Sequence, residues 1–203
     1  DLTVPLRHAT ALGADEVVAI DPPSSTGDYH ALAALLAAYI RSHGGANLVL
    51  CGRQASDDDQ GVVPALIGES LGMPVVAIAR DVEAAGSAEA PAVRVTRVTP
   101  DGDEIVEATC PAVVTISNEL GEPRYPTMPM KMAARRVKPT DVSAADLSLD
   151  PQALEPRVVM ARQFVPTVKG DCEFISGDDP AELADRLVGR LVEDNIVRGR
   201  SPR

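Results

Sequence analysis

Three consecutive aspartates, Asp57, Asp58 and Asp59, follow the apolar run "NLVLC" (47–51) and precede a second apolar stretch that opens at Val62-Val63-Pro64. Carboxylates placed there accept hydrogen bonds. They suit ribose hydroxyls or an adenine amino group, and they repel phosphate. The backbone N–H groups near residues 60–64 leave a helix start and suit an anion. That combination is the chemistry of holding a nucleotide. Neither a GxxxxGK[ST] loop nor a GxGxxG turn accompanies it, so nothing supports phosphoryl transfer. A plainer role competes: one aspartate caps the helix and two face water.

Other catalytic groupings are scarce. His8, His30 and His43 fall on helical segments, none beside a plausible nucleophile, and no serine sits in a GxSxG elbow. Cys51, Cys110 and Cys172 lack metal-ligand spacing and read as reduced thiols of a cytosolic protein. A second unusual stretch is 122–136, with three prolines, three methionines and Tyr125, closing on Lys131, Arg135 and Arg136. It reads either as an irregular crossing segment with methionine filling gaps or as a docking loop. Methionine adapts to several partners, and the adjacent cations steer an acidic one.

The surrounding elements place these residues. "EVVAI" (16–20), "NLVLC" (47–51) and "PVVAIAR" (74–80) read as strands, separated by helical segments. Leu32, Leu35, Leu36, Tyr39 and Ile40 make one apolar helical face before Gly44-Gly45. Pro64 suits a first helical turn. This order predicts an α/β fold with a doubly wound, mostly parallel sheet, and it puts the aspartates at the carboxyl end of a strand, where such sheets bind ligands. "AVRVTRV" and "DEIVEATC" flank "TPDGD" and predict an inserted antiparallel hairpin before the buried strand "AVVTI" (112–116). Residues 140–170 read as an extended arm. A closing helix follows, capped by Asp178 or Asp179, with Leu183, Leu187, Val188 and Leu191 on its apolar face. The expected organisation is an α/β domain over 1–139 and a C-terminal arm and helix over 140–203. The opening "DLTVPLRHATALGAD" reads as the end of a helix, so a preceding strand is expected outside these residues.

The 203 residues carry 19 Lys+Arg against 30 Asp+Glu, a net charge of −11. That surface disfavours nucleic acid and anionic lipid as partners. No run approaches the roughly 20 apolar residues of a membrane span, so no membrane insertion is expected. Aromatic residues make up only 2%, so the core must be aliphatic.

Four segments, "LRHATALGADEVVAI", "LVLCGRQASDDDQG", "CPAVVTISNELGEPRYPTMP" and "MAARRVKP", together resemble the β subunit of electron transfer flavoprotein, nitrogen-fixation-associated members included. The resemblance spans about residues 2–197, with the family's N-terminal strand, hairpin and helix lying outside it. It implies an adenine nucleotide α-hydrolase-like fold and a non-catalytic electron carrier in the bacterial cytoplasm. The carrier is a heterodimer with an α subunit bearing the redox FAD. It takes electrons from flavin dehydrogenases, such as the acyl-CoA dehydrogenases of fatty acid β-oxidation, to a quinone oxidoreductase. The β subunit holds AMP structurally, and electron-bifurcating members hold a second FAD there. A nucleotide-binding module without a redox partner is the alternative. Carried over by position, the nucleotide loop comprises Val49, Cys51, Gly52, Gln54, Asp57, Asp58, Asp59, Gln60, Gly61, Val62 and Val63. The docking loop comprises Tyr125, Met128, Pro129, Met130, Arg135 and Arg136, with Met128 as its apolar anchor. One departure concerns phosphate: Val62, Val63 and Pro64 stand where the family has Gln, Val or Thr, and Gly, and proline offers no N–H.

Overall fold

The computed structural model describes residues 2–21, 28–56, 59–167, 170 and 172–197. The chain divides into two compact units, Asp1–Met160 and Ala161–Arg203. The first contains β1 (Val18–Asp21), β2 (Leu48–Gly52), β3 (Val75–Gly86), β4 (Pro91–Thr99), β5 (Gly102–Thr109), β6 (Ala112–Ile116) and β7 (Thr140–Ser143). Its helices are α1 (Thr3–Leu12), α2 (Tyr29–Ser42), α3 (Val63–Leu71) and α4 (Met128–Ala134). The second unit contains α5 (Pro180–Glu193), whose cap is Asp179: its carboxylate accepts from the N–H groups of Ala181 and Glu182 at 2.8 and 2.9 Å.

A five-stranded sheet runs in the order β2-β6-β3-β4-β5. β2, β6 and β3 are parallel, and β3, β4 and β5 form the expected antiparallel insertion. β3 is longer than the apolar run that announced it, because it continues through Asp81 and Glu83 into the hairpin. Where it changes partners its register shifts twice, and Ile78 sits at φ 64. A β-branched residue resists that conformation. The buried Thr115 holds it there, its hydroxyl oxygen accepting from the Ile78 N–H at 2.8 Å.

β1 does not join this sheet. It pairs in parallel with β7 as a separate two-stranded ribbon. β2 therefore lies at an edge among the described residues, with Leu50 56% exposed. The β1–β7 pairing places residues 140–143 within the first compact unit, which runs to Met160. Residues 140–154 are not an extended arm, since β7 leads into a turn fixed by a capping box between Ser143 and Asp146, and Leu147 is buried beneath α2.

The aliphatic core lies on both faces of the sheet. Ala112 and Val114 point into a cluster with Val76, Val93, Val95 and Ala108. Val113, between them, points the other way to Ile67 and Ala33. Alternation along a strand produces this division. α2 spans two clusters. Its Ala33, Leu36 and Ile40 meet β2 and α3, while Leu35, Ala38 and Tyr39 meet Ile20, Val142 and Leu147. The single apolar face read from the sequence is thus two faces. Among the described residues no helix is long and apolar enough to cross a membrane.

Asp28 starts α2 and is 5% exposed. One carboxylate oxygen accepts from the Ala31 N–H at 2.9 Å. The other accepts from the N–H groups of Arg157 and Val158 at 2.5 and 3.1 Å. Burial pushes this carboxyl up, but the three N–H donors, helped by His30, outweigh it and hold the group below its ordinary value. A carboxylate so depressed contributes its full stability at neutral pH and loses it as pH falls through about 4 and below. Asp28→Asn keeps a cap for Ala31 but offers an N–H₂ where Arg157 and Val158 need an acceptor. The expected result is lower stability at pH 7 and a shallower loss of stability on acidification, read from denaturant midpoints across pH.

Candidate functional site

The pocket at the carboxyl end of β2 has a volume of about 690 Å³. Its floor is Val49, Leu50, Cys51 and Gly52 of β2. One wall is α2, through Tyr29, Leu32, Leu36 and Ile40, which recur one helical turn apart. The rim is the loop residues Arg53, Gln54, Ala55, Gln60, Gly61 and Val62, and the far wall is Val63, Pro64 and Ile67 of α3.

Eight of the expected nucleotide-loop residues meet here: Val49, Cys51, Gly52, Gln54, Gln60, Gly61, Val62 and Val63. Asp59 flanks the pocket without lining it. It adopts φ 55, its N–H donates to the Ala55 carbonyl at 2.8 Å, and its carboxylate accepts from the Gln54 amide. It therefore shapes the loop. Asp57 and Asp58 lie outside the described residues. None of the described residues caps α3 with a side chain: the N-cap is Val62, and Pro64 occupies the first turn. The remaining N–H groups of that turn have no partner within the helix.

Sequence reasoning missed the α2 wall and Arg53. Leu32, Leu36 and Ile40 carried the right spacing, but periodicity does not say whether a face meets core or cavity. Cys51 is half-buried, and burial pushes its thiol up, so it stays protonated and lines the floor as a small apolar group. Among the described residues no cluster of His, Cys, Asp or Glu has the arrangement of a metal site.

The expected docking segment lies apart from this pocket. It has no regular secondary structure from Gly121 to Thr127 and then, from Met128, forms the short helix α4 in place of the expected loop, with Pro129 in the first turn, where it is tolerated. Arg124 anchors the segment by donating to the Leu12 carbonyl at 2.6 Å, at the end of α1. Gly13, at φ 109, terminates that helix. Tyr125 and Met128 are 87% and 67% exposed. Lys131 stands over the Tyr125 ring at 4.5 Å. Arg135 and Arg136 are exposed, and Met130 and Pro129 sit at the helix start. The packing of α1 on α4 and the burial of Ala134 hold the segment against the domain while Tyr125, Met128, Arg135 and Arg136 face water.

A family model described as the electron transfer flavoprotein domain matches residues 2–147. The chain belongs to the electron transfer flavoprotein family. It is 36% identical over 197 residues to the caffeyl-CoA reductase-Etf complex subunit CarD of Acetobacterium woodii, covering 95% of this chain and 73% of that protein. It is 31% identical to the electron transfer flavoprotein subunit beta of Bacillus subtilis, over 92% of this chain and 71% of the relative. The corresponding subunit of Thermoanaerobacterium thermosaccharolyticum is 33% identical over 96% and 74%. The matched region contains both the pocket and the Met128 segment.

Gly61 keeps the rim closed. It has φ +63, and a Cβ there would stand 3.3 Å from the Arg53 carbonyl oxygen. Gly72 has a similar φ of +68 but open space around it. Gly61→Ala and Gly72→Ala should each cost about 1 kcal/mol from backbone strain. Gly61→Ala should cost more, because the Arg53 carbonyl must also shift. Thermal or denaturant midpoints of the two variants check this.

Proposed function

We infer that this chain is the β subunit of a heterodimeric electron transfer flavoprotein. It pairs with an α subunit that carries the redox FAD, and its own pocket holds an adenine nucleotide, AMP, in a structural role. The observation that carries this reading is the pocket at the end of β2, to which eight separately expected loop residues contribute. Its volume falls within the range of about 300–1,000 Å³ usual for small-ligand sites. Its apolar floor suits a base, and its rim supplies amide groups for sugar or base edges.

The exposed Met128 segment is the docking element for flavin dehydrogenases. A flexible apolar tip beside Lys131, Arg135 and Arg136 suits donors with acidic margins. The carrier acts in the cytoplasm and delivers electrons to a membrane-bound quinone oxidoreductase without entering the membrane itself. The α5 unit contributes contact surface to the α subunit, since Leu187 and Val188 are 47% and 56% exposed on its apolar face. A second reading, FAD in place of AMP in this pocket, is favoured by the similarity to a subunit of a reductase-Etf complex.

Denaturing the purified complex and identifying the released ligands by mass spectrometry tests the assignment. One FAD and one AMP per heterodimer are expected; two FAD support the second reading, and a single FAD with no second nucleotide removes both. Met128→Ala should weaken transfer from the dehydrogenase about tenfold through KM, with nucleotide content unchanged. Equal KM values would remove the docking assignment.

A further inference from the structure

We propose that Arg53 selects a phosphorylated ligand for the β2 pocket over its unphosphorylated counterpart. The inference rests on the nucleotide reading above. Among the described residues Arg53 is the one charged residue that lines the pocket; the rest of the wall is apolar apart from Tyr29, Gln54, Gln60 and backbone. Gln54 is committed to Asp59. The start of α3 offers an anion fewer donors than an ordinary first turn, because Pro64 supplies no N–H. A phosphate entering an apolar cleft needs a compensating charge. A guanidinium provides a permanent one, with forked donors that match phosphate oxygens.

Two further observations bear on Arg53; among the described residues several other arginines share its lack of an ion pair, but they do not line the pocket. Arg80, Arg94, Arg97, Arg186 and Arg190 are each paired with a carboxylate. Arg53 is exposed and makes no ion pair among the described residues, so its charge is uncommitted there. Its backbone is nevertheless fixed at the rim, with its carbonyl against Gly61. A nucleoside fills the same apolar walls but gives the guanidinium nothing to bind. Arg53 therefore acts on the difference between the two ligands and leaves their shared contacts alone.

The test uses the full protein with its co-purifying subunit, stripped of nucleotide and titrated with AMP and with adenosine by calorimetry. Wild-type protein should bind AMP more tightly than adenosine. Arg53→Ala should weaken AMP about tenfold to a hundredfold, leave adenosine unchanged, and lose the salt dependence that distinguishes them. Arg53→Lys, which keeps the charge without the fork, should recover part of the loss. Unchanged AMP affinity in Arg53→Ala overturns the proposal. So does an equal loss for AMP and adenosine, which would assign Arg53 to supporting the loop. Wild-type protein that binds adenosine and AMP equally refutes phosphate selection while keeping the nucleotide reading, whereas wild-type protein that binds neither refutes both.

Discussion

Helix α2 has to satisfy two apolar surroundings at once, and the first unit is arranged around that demand. Leu35 and Ala38 close against β1, β7 and Leu147, while Ala33, Leu36 and Ile40 close against β2 and α3. The two strand groups share no ladder, so α2 is a principal bridge between them. Its alanines let the strands approach closely and favour the helix in their own right. Asp28 ties its first turn to a segment more than a hundred residues away in sequence, so the helix start and residues 157–158 are held by one carboxylate.

The pocket follows from the same arrangement. α2 cannot fully cover β2 while also serving β1 and β7, and the uncovered flank becomes a wall rather than core. α3 then closes the far side, its Ile67 shared between core and cavity. The site consequently has a largely apolar interior and polar groups confined to a loop. That division suits a ligand with a flat apolar body and a charged end. It leaves Cys51 a spectator, because burial suppresses the thiolate.

Much of this architecture was legible from residues alone. Parallel strands announced themselves as continuous apolar runs, "TPDGD" marked the hairpin, and Gly44-Gly45 marked the end of α2. What stayed hidden was set by distant partners. The full length of β3 was masked by Asp81 and Glu83, which alternate outward once the strand pairs with β4. α4 was masked by Pro129, which reads as a loop residue but is compatible with a first turn. The separation of β1 from β2 had no local signature, because pairing is a property of two segments and a pattern describes only one. In the site, loop residues were recognisable through their sequence order. Arg53 had no signature of its own, because a lone cation beside three carboxylates is ordinary in a solvated loop.

Among the described residues one side of β2 carries no partner strand, which has an implication for how these residues behave in company. Its peptide groups form a ready template on which any extended segment can lay down another strand, and Leu50 offers such a visitor an apolar foothold. A net charge of −11 gives copies a mutual repulsion that opposes such additions. Ions that screen this repulsion weaken that opposition.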